Sequence, residues 1–136
     1  MIAALLAVVL ASLAALHVYW ACGGQLASGA VLPHVEGRPL FTPSRAATIA
    51  VAVGLAAAAS LALMAGHLLA SPLPAPLVRW AAVALGVVFL ARAVGDFRVA
   101  GYFKRVRDTT FAVWDTWLYS PLCVLIGVGF LVIAAT

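Results

Sequence analysis

Apolar residues run along this chain in four long blocks, and the polar positions are collected between them. A helix crosses the ~30 Å hydrocarbon core of a bilayer with about 20 residues at a 1.5 Å rise, so each block is long enough to span. The first runs from Ile2 to Cys22 and stops at Gly23-Gly24, a helix C-terminal signal. The second runs from Ser44 to Leu69, with Thr42 placed to cap it and Pro43 in the first turn, where a missing N–H costs nothing. The third starts at Pro76 or Leu77 and reaches at least Phe97, with room to continue to Lys104. The fourth reaches Thr136, and its start is open. Ser120-Pro121 reads as a cap and first-turn proline but leaves a helix too short to cross, and Asp115 could cap a helix from Thr116. A start near Thr109 or Thr110, with Pro121 as a kink inside a longer helix, is preferred. The pattern predicts an all-α integral membrane four-helix bundle. It forms one domain over residues 1–136, with spans near 2–22, 44–69, 77–98 and 112–135.

Composition strengthens this reading. Hydrophobic residues make up 66% of the chain and charged ones 9%, and mean hydropathy is +1.16, whereas a soluble domain carries about 25% charged residues. No Lys or Arg precedes the first block, so it lacks the basic start of a signal peptide and reads as a retained span. The absence of an internal repeat argues against an inverted-repeat transporter. Ala56-Ala57-Ala58-Ala59 permits close helix contact, as small residues do in membranes. Cys22 and Cys123 form no CxxC and have no metal-ligand spacing, so they read as small apolar residues, and no metal or cofactor is expected.

The connections differ in kind. Gly23 to Phe41 is a true loop containing His34, Glu36 and Arg38, Ser71 to Pro76 is a stiff proline-rich turn, and Arg98 to Asp108 is basic and aromatic. The loops on one side of a four-span protein, 23–43 and 98–111, hold Arg38, Arg98, Lys104, Arg105 and Arg107, with Arg45 just inside the second helix; the other side has only Arg79. By the positive-inside rule those two loops are cytoplasmic and both termini lie outside. The net charge of +4 then favours anionic lipid headgroups, and without a recognition module no nucleic-acid partner is expected.

The stretch Arg92 to Cys123 holds five of the eight basic residues and three of the four acidic ones. Arg92 and Asp96 are four apart, which puts them on one face of a continuing helix. Ionisable groups at such depth normally face a bundle interior or a wet cavity. Either they pair, or snorkel to the cytoplasmic interface, and fix packing, or they line a polar pocket open to the cytoplasm with Arg92 as its anion-binding group and Asp96 as its orienting partner or an acid/base. Asp115 and Tyr119 are also four apart, with Trp114 and Trp117 alongside. A fourth helix that turned them toward the third would gather Arg92, Asp96, Arg98, Asp115 and Tyr119, with His17 added from the first span, as a cluster of alternating charge that first of all cross-braces the helices where water enters. His17 sits beside Tyr19 and Trp20, either as part of an interfacial belt or as a proton-shuttling group in that pocket. His67 falls at the opposite end, and His34 carries no spacing signal. Phe97, Tyr102 and Phe103 interleave with Arg98, Lys104, Arg105 and Arg107 as an interfacial segment would, with cations on lipid phosphate.

Several words of the sequence carry a resemblance. His17-Val-Tyr-Trp20 with Gly23-Gly24, Ala91-Arg-Ala-Val-Gly-Asp-Phe-Arg98, Phe103-Lys-Arg105 and Asp115-Thr-Trp-Leu-Tyr-Ser-Pro-Leu-Cys123 resemble a family of small bacterial four-helix membrane proteins of unknown function (domain of unknown function 3995). The resemblance implies four spans in a bacterial cytoplasmic membrane and supplies no activity.

Three functions are compatible with these residues. The leading one is binding of a membrane lipid or other amphiphile with an anionic group, using Arg92, Arg98, Lys104 and Arg105 at the head, with Trp20 and Asp115 beside them. The second is a membrane enzyme, an isomerase or transferase with His17, Asp96 and Tyr119 as acid/base groups. The third is a structural or accessory subunit, in a homo-oligomer or a larger membrane complex.

Overall fold

Each apolar block forms a helix in the computed structural model, which describes residues 1–26, 28–35, 38–40 and 42–136. Helix α1 covers Ile2–Ala21. A single helical turn, α2 (Ser28–Val31), follows in the first loop. A two-residue strand β1 (His34–Val35) then pairs antiparallel with β2 (Arg38–Pro39). Helices α3 (Arg45–Ala65) and α4 (Ala75–Val94) come next, and the chain ends with α5 (Thr110–Ala135). The four long helices are each apolar enough to cross a membrane, and the predicted all-α bundle is what forms. Glu36 and Phe41, read as loop, lie outside the described residues.

The helices associate as two pairs, α1 along α3 and α4 along α5, with a thinner seam between the pairs. Small side chains make each pair close. Ala3, Ala7, Ala14 and Ala21, with Leu6 and Leu10, form the buried stripe of α1, and Ala52, Ala58, Ala59 and Ala62 form that of α3. Lipid is as apolar as leucine, so such pairs are held by close van der Waals packing. In the α4–α5 pair Gly86 and Gly127 cross. A Cβ on Gly127 would sit 2.9 Å from the Gly86 carbonyl, closer than any real side chain goes. Phe130 and Ile126 of α5 join Leu10 at the centre, and Phe89 stacks on Phe130.

Several helix ends differ from the pattern's prediction, each for a local reason. The cap of α3 is Ser44 and not Thr42: its hydroxyl accepts from the Ala47 N–H at 3.1 Å. That helix stops at Ala65 instead of Leu69. The Leu68 N–H turns back to the Leu63 carbonyl at 2.8 Å, with His67 in a left-handed conformation (φ 57°). Helix α4 ends at Val94, before Phe97 and well before Lys104, because Gly95 adopts φ +96° and leaves the helix. Helix α5 starts at Thr110, the preferred alternative, with the Thr109 hydroxyl accepting from the Ala112 N–H.

The kink expected at Pro121 takes a specific form. Asp115–Tyr119 is a π turn inside α5. Proline offers no N–H to the carbonyl four residues back and its ring crowds that carbonyl. A wider turn just ahead relieves both conflicts, and the Ser120 N–H reaches the Asp115 carbonyl instead.

Candidate functional site

The polar residues meet at the end of the bundle that carries the α1 C-terminus and the α5 N-terminus, around Asp115. Its side chain is fully buried (0% exposed), as is that of Ser120, and Lys104 is 3% exposed. One carboxylate oxygen, Oδ1, accepts from Arg92 Nη2 at 2.8 Å. The other, Oδ2, accepts from the Gly101 N–H at 2.7 Å and from Lys104 Nζ at 3.0 Å, with the Ser120 hydroxyl at 3.4 Å. Lys104 Nζ also donates to the Gly101 carbonyl at 3.0 Å and to Thr116 Oγ1 at 2.6 Å. Its three N–H groups thus have three acceptors.

The loop after α4 makes this possible. It folds back on the end of the helix, where the last carbonyls have no intrahelical donor. The Tyr102 N–H donates to the Ala93 carbonyl at 2.8 Å, and Asp96 N–H donates to the Ala100 carbonyl at 3.2 Å. Gly95 (φ +96°) and Gly101 (φ +84°) face each other across the fold, with the Gly95 backbone where a Cβ on Gly101 would be. The approach turns the Gly101 N–H and the Lys104 side chain inward to Asp115.

This arrangement corrects two expectations. Arg92 does not pair with Asp96, because the helix that would have aligned them ends between them; its partner is Asp115, from another helix. Lys104 is not among the headgroup cations, being buried against Asp115. Asp96 instead organises the turn: its Oδ1 accepts from the N–H groups of Arg98, Val99 and Ala100 at 2.8–3.0 Å. Partial burial pushes its carboxyl group upward, but the Ala100, Arg98 and Val99 N–H groups outweigh this and hold it below the usual carboxylate range. A carboxyl group so lowered binds its proton more readily in the unfolded chain. Its stabilising effect is therefore complete above the unfolded value and is lost as pH falls through the folded one. On acidification below the ordinary carboxylate range, the amides of Val99 and Ala100 are expected to lose protection in hydrogen exchange before those of α4. Asp96→Asn should show weakened protection at neutral pH already.

Arg98, Arg105 and Arg107 are exposed on the same loop, and so are Phe97, Tyr102 and Phe103. The Phe97 and Phe103 rings lie 6.3 Å apart.

Beside the ion cluster the seam between the helix pairs opens into two adjoining cavities. One, of about 660 Å³, runs down between the long helices along Leu13, Leu16, Val51, Leu55 and Phe89, with Trp114, Leu118 and Tyr119 on the α5 side. The other, of about 630 Å³, lies nearer the helix ends, against Gly24, Pro43, Ala47 and Thr48. His17, Trp20, Val31, Val51 and Arg92 line both. The segment carrying α2 contributes to their walls through Leu26, Ala30 and Val31. Trp20 Nε1 donates to the Leu26 carbonyl at 2.9 Å, and the Tyr119 hydroxyl donates to the Ala30 carbonyl at 3.2 Å. His17 lies edge-on to Trp20, and its Nδ1 is 2.7 Å from the Leu13 carbonyl.

The guanidinium of Arg92 is divided. Nη2 is committed to Asp115, while Nη1 is buried and has no hydrogen-bond partner among the described residues. The side chain as a whole is 38% exposed. Of the acid/base candidates, His17 and Tyr119 line the deeper cavity and Asp96 lines neither. Sequence reasoning missed Gly95, Gly101, Thr116 and Ser120. The glycines gave a usable signal as possible turn points; Thr116 and Ser120 gave none. A further cavity, of about 680 Å³, lies at the other end beside His67 and Arg79, with no buried ion cluster next to it among the described residues.

Fold and site together define a small four-span integral membrane protein with a buried ion cluster beside an apolar cleft. A family model described as a protein of unknown function (DUF3995) matches residues 10–130, and the chain belongs to that family. No curated protein and no solved structure matches it.

Proposed function

We propose that the protein binds a membrane amphiphile with an anionic group, the apolar part lying in the deeper cavity and the head at Arg92. The observation that carries this reading is the Arg92 side chain, 38% exposed and lining both cavities, whose Nη1 is closed off without a hydrogen-bond partner among the described residues, so that a small shift of the side chain brings it to a bound head. A buried donor with no partner costs free energy that an anionic acceptor recovers. Pockets that hold small ligands are commonly roughly 300–1,000 Å³ and mostly apolar, with a few placed polar groups, and this cleft fits that description. The head residues differ from those the sequence favoured. Arg92 takes the central place, Lys104 serves the fold, and Arg98 and Arg105 remain free for the membrane surface. With Lys104 set aside, Arg38, Arg45, Arg98, Arg105 and Arg107 still stand against Arg79, which supports a cytoplasmic position for this end and external termini. The enzyme reading gains less support, since Asp96 is engaged in its turn and away from the cleft.

The protein, purified in mild detergent from a bacterial membrane, is expected to retain lipid detectable by native mass spectrometry. Arg92→Gln should lose most of it, while Arg98→Gln together with Arg105→Gln should keep it. Equal retention by all three forms would overturn the placement of the head at Arg92.

A further inference from the structure

We infer that the cleft takes a head with a single negative charge on a single chain, in its simplest form a long-chain carboxylate. This rests on the amphiphile reading above and narrows it by charge and by room. The ion cluster contains two cations and one anion. Lys104 and Asp115 satisfy one another, and Lys104 has no N–H left to offer. Arg92 supplies the surplus positive charge, with Nη1 uncommitted among the described residues. It is also the one Lys, Arg, Asp or Glu among the described residues that line the two cavities. One negative charge therefore balances the site. A second would be a buried charge without a partner, which a low-dielectric interior strongly disfavours. The other cations at this end, Arg38, Arg45, Arg98, Arg105 and Arg107, are not among the described residues that line either cavity.

His17 does not change the count when its ring is neutral. A carbonyl oxygen only accepts, so Nδ1, at 2.7 Å from that of Leu13, is the nitrogen that bears the proton. Nε2 is then an acceptor in the wall common to both cavities, suited to a hydroxyl or a protonated head and not to a second anionic oxygen. The room argues for one chain. The deeper cavity is lined by Leu13, Leu16, Leu55 and Phe89, whereas the superficial one meets Gly24, Pro43 and Thr48. The superficial one also has Val31, Leu32, Ala47 and Val51 in its wall, but it is the deeper one that runs down between the long helices and so offers length for a chain.

The test compares probes sharing one chain and differing in head: hexadecanoate, hexadecyl phosphate and hexadecanol, with phosphatidylglycerol as a two-chain monoanion. Each is titrated into delipidated protein in neutral detergent, above neutral pH so that the phosphate is mostly dianionic, and binding is read by calorimetry. Hexadecanoate is expected to bind at least about tenfold more tightly than hexadecyl phosphate and hexadecanol, a difference of one decade in Kd, and more tightly than phosphatidylglycerol. Hexadecyl phosphate binding as well as hexadecanoate would overturn the single charge, and phosphatidylglycerol doing so would overturn the single chain. In both cases the amphiphile reading would stand. Failure of every probe to bind would sink that reading itself. Arg92→Gln should level the three single-chain probes. Val51→Trp, which fills the wall shared by the cavities and changes none of Arg92, Lys104 and Asp115, should weaken hexadecanoate by a similar factor while thermal unfolding is unchanged. Unaltered hexadecanoate binding in Val51→Trp would place it elsewhere and overturn the inference.

Discussion

Asp115→Asn is expected to destabilise the bundle by about 3–5 kcal/mol, the usual consequence of removing one partner from a buried ion pair. The amide keeps the shape and can still accept a hydrogen bond, but it loses the charge that balances Lys104 and Arg92. Lys104 is then a buried ammonium whose remaining acceptors are the Gly101 carbonyl and Thr116 Oγ1. The NH₂ of Asn also meets a donor wherever it points, since each Asp115 oxygen accepts in the native protein. Unfolding of the detergent-solubilised protein by a denaturing detergent would measure the loss. A second variant sharpens the result. Lys104→Met removes the ammonium and leaves Asp115 with Arg92. Combining the two changes should cost clearly less than the sum of the separate costs, because groups in one network are not additive. Additive losses would mean that the two residues act independently.

Gly101→Ala is expected to cost roughly 3 kcal/mol. A positive φ for a residue with a side chain is unfavourable in itself, and the added methyl would run into the Gly95 backbone, where overpacking typically costs 1–3 kcal/mol. Neither obstacle is a flexible side chain that could move aside. The loop must therefore shift away from α4, and the Gly101 N–H and Lys104 leave Asp115 together. Thermal unfolding would report the loss, and exchange of the Gly101 and Tyr102 amides would show where it begins. Gly54→Ala in α3, where a new Cβ meets nothing within 4 Å, should be neutral or slightly stabilising in the same assay.

The spans were legible because membrane helices are specified by length and apolarity alone, and all four runs have both. The site was legible in part. Asp115, Arg92 and His17 were marked by their rarity in apolar surroundings, and the structure gathers them at one end of the bundle. The Arg92–Asp96 pairing was misread because the four-residue rule holds only within a helix, and Gly95 between them was passed over as a stop. Lys104 could not be placed from its neighbours. Its loop looks like a surface segment, and the carboxylate that draws it inward lies on another helix. The π turn was visible only as Pro121, which reports that a helix is disturbed but not by what geometry.

That turn makes the registration of the cluster a matter of residue count. A π turn holds one more residue than the α-helix needs, and each residue of an α-helix turns the chain by about 100°. Were the same residues to run on as an ordinary α-helix, each would turn the chain further than it does in the wider turn, and everything ahead would swing around the axis. Asp115 would then face about a quarter turn away from Arg92, Gly101 and Lys104, with none of those four residues altered.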